Sequence, residues 1–207
     1  GPLTEIQEQF LTIAERNLKR LSLLINDLLN LSKLEAGKME IKRKFFAVDK
    51  VISDSVDGLN TWAKTRGVEI IRNTTASLPE ADIDPDRIIQ VLTNLIGNAI
   101  KFTPSGGKVT VSAQTQDNGK WLEVGVKDTG IGIAKENLPK LFDKFYQIGE
   151  RVPTDISGTG IGLSIAKEIV QLHGGKIWVE SEKGQGAKFC FTLPVSIVSG
   201  VMAGAIG

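Results

Sequence analysis

DTGIGIAKENLPKLFDKFYQIGERVPTDISGTGIGL, residues 128–163, carries two glycine clusters separated by a long polar loop. The first is built on a carboxylate, Asp128, followed by Gly130 and Gly132. The second, Gly158, Gly160 and Gly162, runs into residues with helical apolar spacing: Leu163, Ile165, Ala166, Ile169, Val170 and Leu172. A carboxylate among glycines can hold the exocyclic amine of a flat base. Free amides at a helix start can hold phosphate. Together they point to a nucleotide. Each cluster alone also reads as an ordinary turn. The second lacks the Lys-Ser/Thr ending of a P-loop and does not directly follow a strand, so neither a P-loop nor a Rossmann reading fits. Between the clusters, Phe142, Phe145 and Tyr146 are expected to anchor one end of a lid-like loop, residues 147–157.

Upstream, Asp84 and Pro85 form a helix start, with Asp as N-cap and Pro in the first turn. The helix is expected to run to about Phe102 and to stop at the PSGG of residues 104–107. Ile88, Val91, Leu92, Leu95 and Ile96 give it an apolar side. Asn94 and Asn98, four apart, share another face, and Lys101 follows. An Asn carbonyl is a neutral oxygen ligand for Mg²⁺, and a lysine can neutralise phosphate. Bridging amides in the core are the structural alternative for the two asparagines.

The rest of the chain supplies a sheet and a long helix. Strands are expected over residues 39–48, with Met39, Ile41 and Phe45 inward, and over 68–72, 77–82, 108–115, 121–127, 176–181 and 187–193. A helix over residues 49–66 carries Val51, Ile52, Val56, Leu59 and Trp62 on one side. Hairpin neighbours among the later strands indicate an α+β, two-layer α/β sandwich with a largely antiparallel sheet. Residues 4–36 read as one helix that opens on a Thr4/Gln7 capping box and is capped by Gly37. Its stripe, Ile6, Phe10, Ile13, Asn17, Leu21, Leu24, Leu28 and Leu31, is apolar but for Asn17 and is widened by Leu11, Leu18, Ile25 and Leu34. A stripe this wide needs a partner, and a homodimer through this helix is expected. The expected divisions are residues 1–38, 39–194, and an uncharged tail, 195–207, read as a disordered end or cloning remnant.

Composition excludes some classes. With 25 basic and 24 acidic residues there is no global field for nucleic acid. A single cysteine, Cys190, leaves no internal disulfide and no cysteine-based zinc site. No apolar run reaches the roughly 20 residues of a membrane helix.

Taken together, the motifs resemble the catalytic part of sensor histidine kinases, within the wider Bergerat-fold ATPases. NLIGNAIKFT, residues 94–103, resembles the N box; DTGIGI, 128–133, the G1 box; FDKF, 142–145, the F box; GTGIGL, 158–163, the G2 box. LHGG, 172–175, and WVES, 178–181, are similar to the segment that follows. LLNLSKLE, 28–35, resembles the end of the second helix of the dimerisation hairpin. The resemblance implies ATP and Mg²⁺ as cofactors. It implies Asp128 on the adenine amine, with Gly130, Gly132 and Ile133 beside it. Asn98 would ligate Mg²⁺, with Asn94 and Lys101 near the phosphates. Phe102 and Tyr146 would flank the nucleotide. The amides of Gly158, Thr159, Gly160, Ile161, Gly162 and Leu163 would meet the phosphate chain. The reaction implied is transfer of the γ-phosphoryl group to a histidine, with a response regulator as partner. The setting implied is the cytoplasmic portion of a sensor kinase, with membrane attachment only through segments outside these residues.

Two positions depart from the family pattern. The first hairpin helix, with its phosphoacceptor histidine, is not represented. The single histidine, His173, sits in the LHGG segment, where a structural role is expected. The chain as it stands is therefore expected to be unable to phosphorylate itself. Secondly, the residue after Tyr146, often arginine in the family, is Gln147 here. Arg151 or Lys144 could substitute. Two other readings stay open. One is another Bergerat-fold ATPase, although QVLTN, residues 90–94, lacks the glutamate base of the hydrolysing branches. The other is a degenerate kinase core acting as a nucleotide-regulated binding module.

Overall fold

A computed structural model describes residues 3–75, 78–148 and 159–195. It opens with α1 (Glu5–Glu35), whose capping box is present as expected: Thr4 accepts from the Gln7 amide and the Gln7 side chain from the Thr4 amide. Gly37 adopts φ +62° just beyond the helix, a conformation that favours glycine. β1 (Lys44–Ala47), α2 (Val48–Thr65), β2 (Glu69–Thr74), β3 (Glu80–Ile83) and α3 (Pro85–Phe102) follow. Then come β4 (Lys108–Gln116), β5 (Trp121–Asp128), α4 (Gly162–Leu172), β6 (Ile177–Ser181) and β7 (Ala187–Pro194).

Five strands form one sheet in the order β2-β4-β5-β7-β6. The β2–β4 pair is parallel and the others are antiparallel. β1 and β3 make a separate antiparallel pair. The layers meet through apolar faces of matching period. Leu92, Leu95, Ile96 and Ile100 of α3 and Ile165 and Ile169 of α4 are buried. They share one core with Val109, Val111, Val124, Val126, Phe189 and Phe191 of the sheet. Each such side chain contributes about 1.5–3 kcal/mol by leaving water. The two-layer α+β reading therefore holds.

The expected strand over residues 39–48 is shorter and shifted in phase. Only Lys44–Ala47 is extended and paired. Met39 is buried ahead of the strand, whereas Phe45 is 55% exposed and Phe46 packs on the core. Val48, at the start of α2, is fully buried. A two-residue alternation counted back from it puts Phe46 inward and Phe45 outward.

The α3 and α4 ends are tied together by polar groups. Asp84 caps α3 by accepting the Arg87 amide, and its other oxygen accepts from the Lys42 amide at 2.9 Å. The Asp84 amide donates to His173 Nε2 at 3.0 Å, and His173 Nδ1 faces the Ile169 carbonyl at 2.7 Å. Nε2 is thus the acceptor and Nδ1 carries the proton, so the ring is neutral. His173 is fully buried, and burial lowers its pKa. It is a strut between two helices, with no accessible nitrogen for phosphorylation.

Candidate nucleotide site

α3 is the spine of the site. Asn94, Asn98, Lys101 and Phe102 are half-buried along it. At its C-terminal end the G1 turn packs directly against it. A Cβ on Gly130 would lie 2.4 Å from the Phe102 carbonyl oxygen, so only glycine permits this approach. The Ile131 amide donates to that same carbonyl at 3.3 Å. Nearer the middle of α3, the start of α4 abuts Asn94: a Cβ on Gly162 would lie 2.5 Å from Asn94 Oδ1. Eight residues separate Asn94 from Phe102, which is about 12 Å along a helix axis. Gly130 and Gly162, 32 residues apart in the sequence, thus both abut one helix.

Asp128 ends β5 and is 4% exposed. Its Oδ1 accepts from the Gly130 amide at 2.8 Å and from the Ala187 amide of β7 at 3.2 Å. Among the described residues, Oδ2 receives no hydrogen bond. Burial raises the Asp128 pKa, and the two amide bonds only partly oppose it. The G1 loop is held on its far side as well. The Ile133 amide donates to Ser181 Oγ at 2.8 Å, and the Gly184 amide donates to the Ile131 carbonyl at 2.7 Å. Gly132 has φ +64°, and a Cβ there would sit 2.0 Å from the Glu182 carbonyl oxygen.

The other end is less satisfied. Among the described residues Asn94 Nδ2 is buried with no partner, a cost of about 1–3 kcal/mol unless something fills the gap. Its Oδ1 accepts a long, 3.5 Å contact from Asn98. Lys101 Nζ lies 4.9 Å from the Phe102 ring centroid, and burial lowers its pKa. Among the described residues Lys101 has no ion pair. α4 starts at Gly162, and no side chain caps it. Thr159 Oγ1 accepts from the Ile161 amide at 3.2 Å. Gly160 takes φ +73°. Leu163 packs on the core and reaches the site only through its backbone.

These observations test whether ATP with Mg²⁺ would fit. The orphaned Asn94 amide, the unpaired Lys101 and the uncapped α4 start are donors or a cation that suit phosphate. Asp128 is an acceptor that suits an amine. Among the described residues no cluster of His, Cys, Asp or Glu could hold a metal. A cation here would rest on Asn98 together with oxygens of the nucleotide, which is how Mg²⁺ is commonly held. The residues fit the pair.

The aromatic segment divides. Phe142 packs edge-to-face on Phe189, with centroids 6.4 Å apart. Tyr146 is half-buried, and its hydroxyl donates to Asn137 Oδ1 at 2.9 Å. Phe145 was expected to anchor with them, but it is 62% exposed. Its backbone sits at φ +62°, and its amide donates to the Gly160 carbonyl at 2.9 Å. The left-handed turn that makes this bond throws the ring outward, at a strain of about 1–2 kcal/mol. Lys144 is engaged elsewhere, in a 2.8 Å ion pair with Glu35 of α1. Gly158, Arg151 and most of the expected lid lie outside the described residues.

Sequence reasoning also missed Asn137 and Asp27. Asn137 carries no pattern of its own. Asp27 lies on α1, yet its Oδ2 accepts from Thr159 Oγ1 at 2.7 Å.

The family model for histidine kinase-, DNA gyrase B- and HSP90-like ATPases matches residues 83–197. That for the His Kinase A (phospho-acceptor) domain matches residues 1–37. The sensor histidine kinase WalK of Bacillus subtilis (strain 168) is 41% identical over 194 residues, 92% of this chain. The chain spans only 31% of WalK's length. The crystal structure of full-length ShkA in complex with AMPPNP is 31% identical, with TM-score 0.79, over 94% of this chain and 40% of ShkA. The histidine kinase ThkA, solved with the response regulator protein TrrA, shares the fold at TM-score 0.72 and 24% identity. That likeness covers 95% of this chain and 53% of ThkA. The chain belongs to the histidine kinase-, DNA gyrase B- and HSP90-like ATPase family, among the sensor histidine kinases.

Proposed function

We propose that this chain is the ATP-binding part of a sensor histidine kinase that passes the γ-phosphoryl group to a histidine not contained in these 207 residues. The observation that carries it is the meeting of both glycine clusters on α3, at Gly130 with Phe102 and at Gly162 with Asn94. Bound Mg-ATP supplies the phosphoryl group and the charge that screens it. The residues then have distinct tasks. Asp128 accepts the adenine amine. Phe102 and Tyr146 flank the nucleotide. Asn98 offers its carbonyl oxygen to the cation. Asn94, Lys101 and the amides at the start of α4 take the phosphate oxygens. Such transfer depends mainly on positioning and charge stabilisation.

Dimerisation through α1 is part of the same proposal. Ile6, Phe10, Leu18, Leu21, Ile25 and Leu28 are all exposed on it, and a second copy would cover them as one side of a helical bundle. The ThkA–TrrA complex supports a response regulator as downstream partner. No helix among the described residues is long and apolar enough to cross a membrane.

Incubation with labelled ATP and a separate histidine-bearing hairpin tests the proposal. Label is expected on the hairpin and none on this chain, because His173 is fully buried. A stable phosphohistidine on this chain would overturn it. Steady ATP hydrolysis without transfer would favour a hydrolysing Bergerat-fold ATPase instead.

A further inference from the structure

One group at the phosphate end of the pocket, Thr159, is already engaged by α1. Asp27, Asn30, Leu31, Leu34 and Glu35 share one face of α1 by their spacing of three and four. That face lies on the catalytic layers. Leu31 is 4% exposed and Leu34 packs on the core. Arg87 of α3 reaches Asn30 Oδ1 at 3.4 Å, and Lys144 pairs with Glu35. At the other end of the face, Asp27 Oδ2 accepts from Thr159 Oγ1 at 2.7 Å. The same hydroxyl accepts from the Ile161 amide, one residue before α4 begins. A half-buried carboxylate therefore stands at the positive end of α4, where helix amides favour any anion.

We propose that docking of α1 and binding of the nucleotide oppose one another, with Asp27 as the competing anion. Asp27 engages, through Thr159, the Ile161 amide at the mouth of α4, beside the amides that would take phosphate, and its charge repels a polyphosphate in the same cleft. This regulation rests on the ATP reading of the site. By linkage, whatever factor docking removes from nucleotide affinity, nucleotide removes from docking. The docked helix is then a brake that ATP releases. Release frees Leu31, Leu34 and Glu35 together, since they lie on the same face.

Asp27→Asn in the otherwise intact chain tests this. It keeps a hydrogen-bonding side chain and removes the charge. Calorimetric titration with a non-hydrolysable ATP analogue and Mg²⁺ at low salt is expected to show binding tighter by about 5-fold or more, the lower edge of usual coupling. Spin labels at Ser32→Cys and Lys140→Cys, in the presence of buried Cys190, report docking. Their separation is expected to lengthen when the analogue saturates the site. Parent-like or weaker binding by Asp27→Asn would overturn the inference, as would a separation that nucleotide leaves unchanged. If neither protein bound the analogue, the ATP reading itself would fall. Tighter binding confined to the variant would support both.

Discussion

Asp128→Asn is expected to keep the fold and to weaken ATP-analogue binding by about 10- to 100-fold, the 1.5–3 kcal/mol of a hydrogen bond to a charged group. An asparagine oxygen can still accept the Gly130 and Ala187 amides that now bond Oδ1. Its NH₂, however, would face the adenine amine donor to donor. The stability effect has the opposite sign. Burial raises the Asp128 pKa, so the folded chain holds that proton more tightly than the unfolded one. The ionised carboxylate is therefore a net cost at neutral pH, one that fades as pH falls through the folded pKa. The neutral amide removes that cost, so the melting temperature should stay level or rise. Calorimetry paired with a thermal melt checks both halves. Unchanged affinity, or a variant that binds poorly only because it unfolds, would contradict the role given to Asp128.

Gly132→Ala is expected to be the most damaging single-methyl change near the site. The residue sits at φ +64°, where an L side chain costs about 1–2 kcal/mol. The new Cβ would also meet the Glu182 carbonyl oxygen at 2.0 Å. Relieving that clash displaces the loop from Ser181 and Gly184, which hold it through Ile133 and Ile131. Each lost bond adds about 1 kcal/mol. The sum is about 3–4 kcal/mol, or roughly 6–16 °C in melting temperature for a protein of this size. Gly37→Ala is the control. It shares a positive φ of 62°, but nothing lies within 4 Å of its added Cβ, so it should show the backbone strain alone. A Gly132→Ala melt no lower than that of Gly37→Ala would contradict the packing described for the G1 loop.

Much of the fold was legible because short-range chemistry set it. Asp84 and Pro85 start α3, Thr4 and Gln7 start α1, and apolar periodicity placed the sheet's core strands. The glycine clusters were legible as turns, but their meeting on α3 was not. That meeting depends on layer packing across the chain. Phe45 was misread because its phase is set by Val48, whose burial depends on how α2 packs, and Phe145 because a left-handed turn throws its ring outward. The pairing of Asp27 with Thr159 spans 132 residues, beyond the reach of any periodicity. Leu31 and Leu34 show the limit best. They extend the apolar stripe of α1 on paper, yet they pack on the catalytic core while Leu28 and Leu29 remain exposed.

The most direct test follows backbone and side-chain amides by NMR while Mg²⁺ and a non-hydrolysable ATP analogue are added to isotope-labelled chain. Shifts are predicted to appear together at Gly130 and Ala187, at the Asn94 and Asn98 side-chain amides, and at Gly160 through Leu163. Shifts confined to one glycine cluster, with the other and α3 unmoved at saturation, would contradict a single pocket.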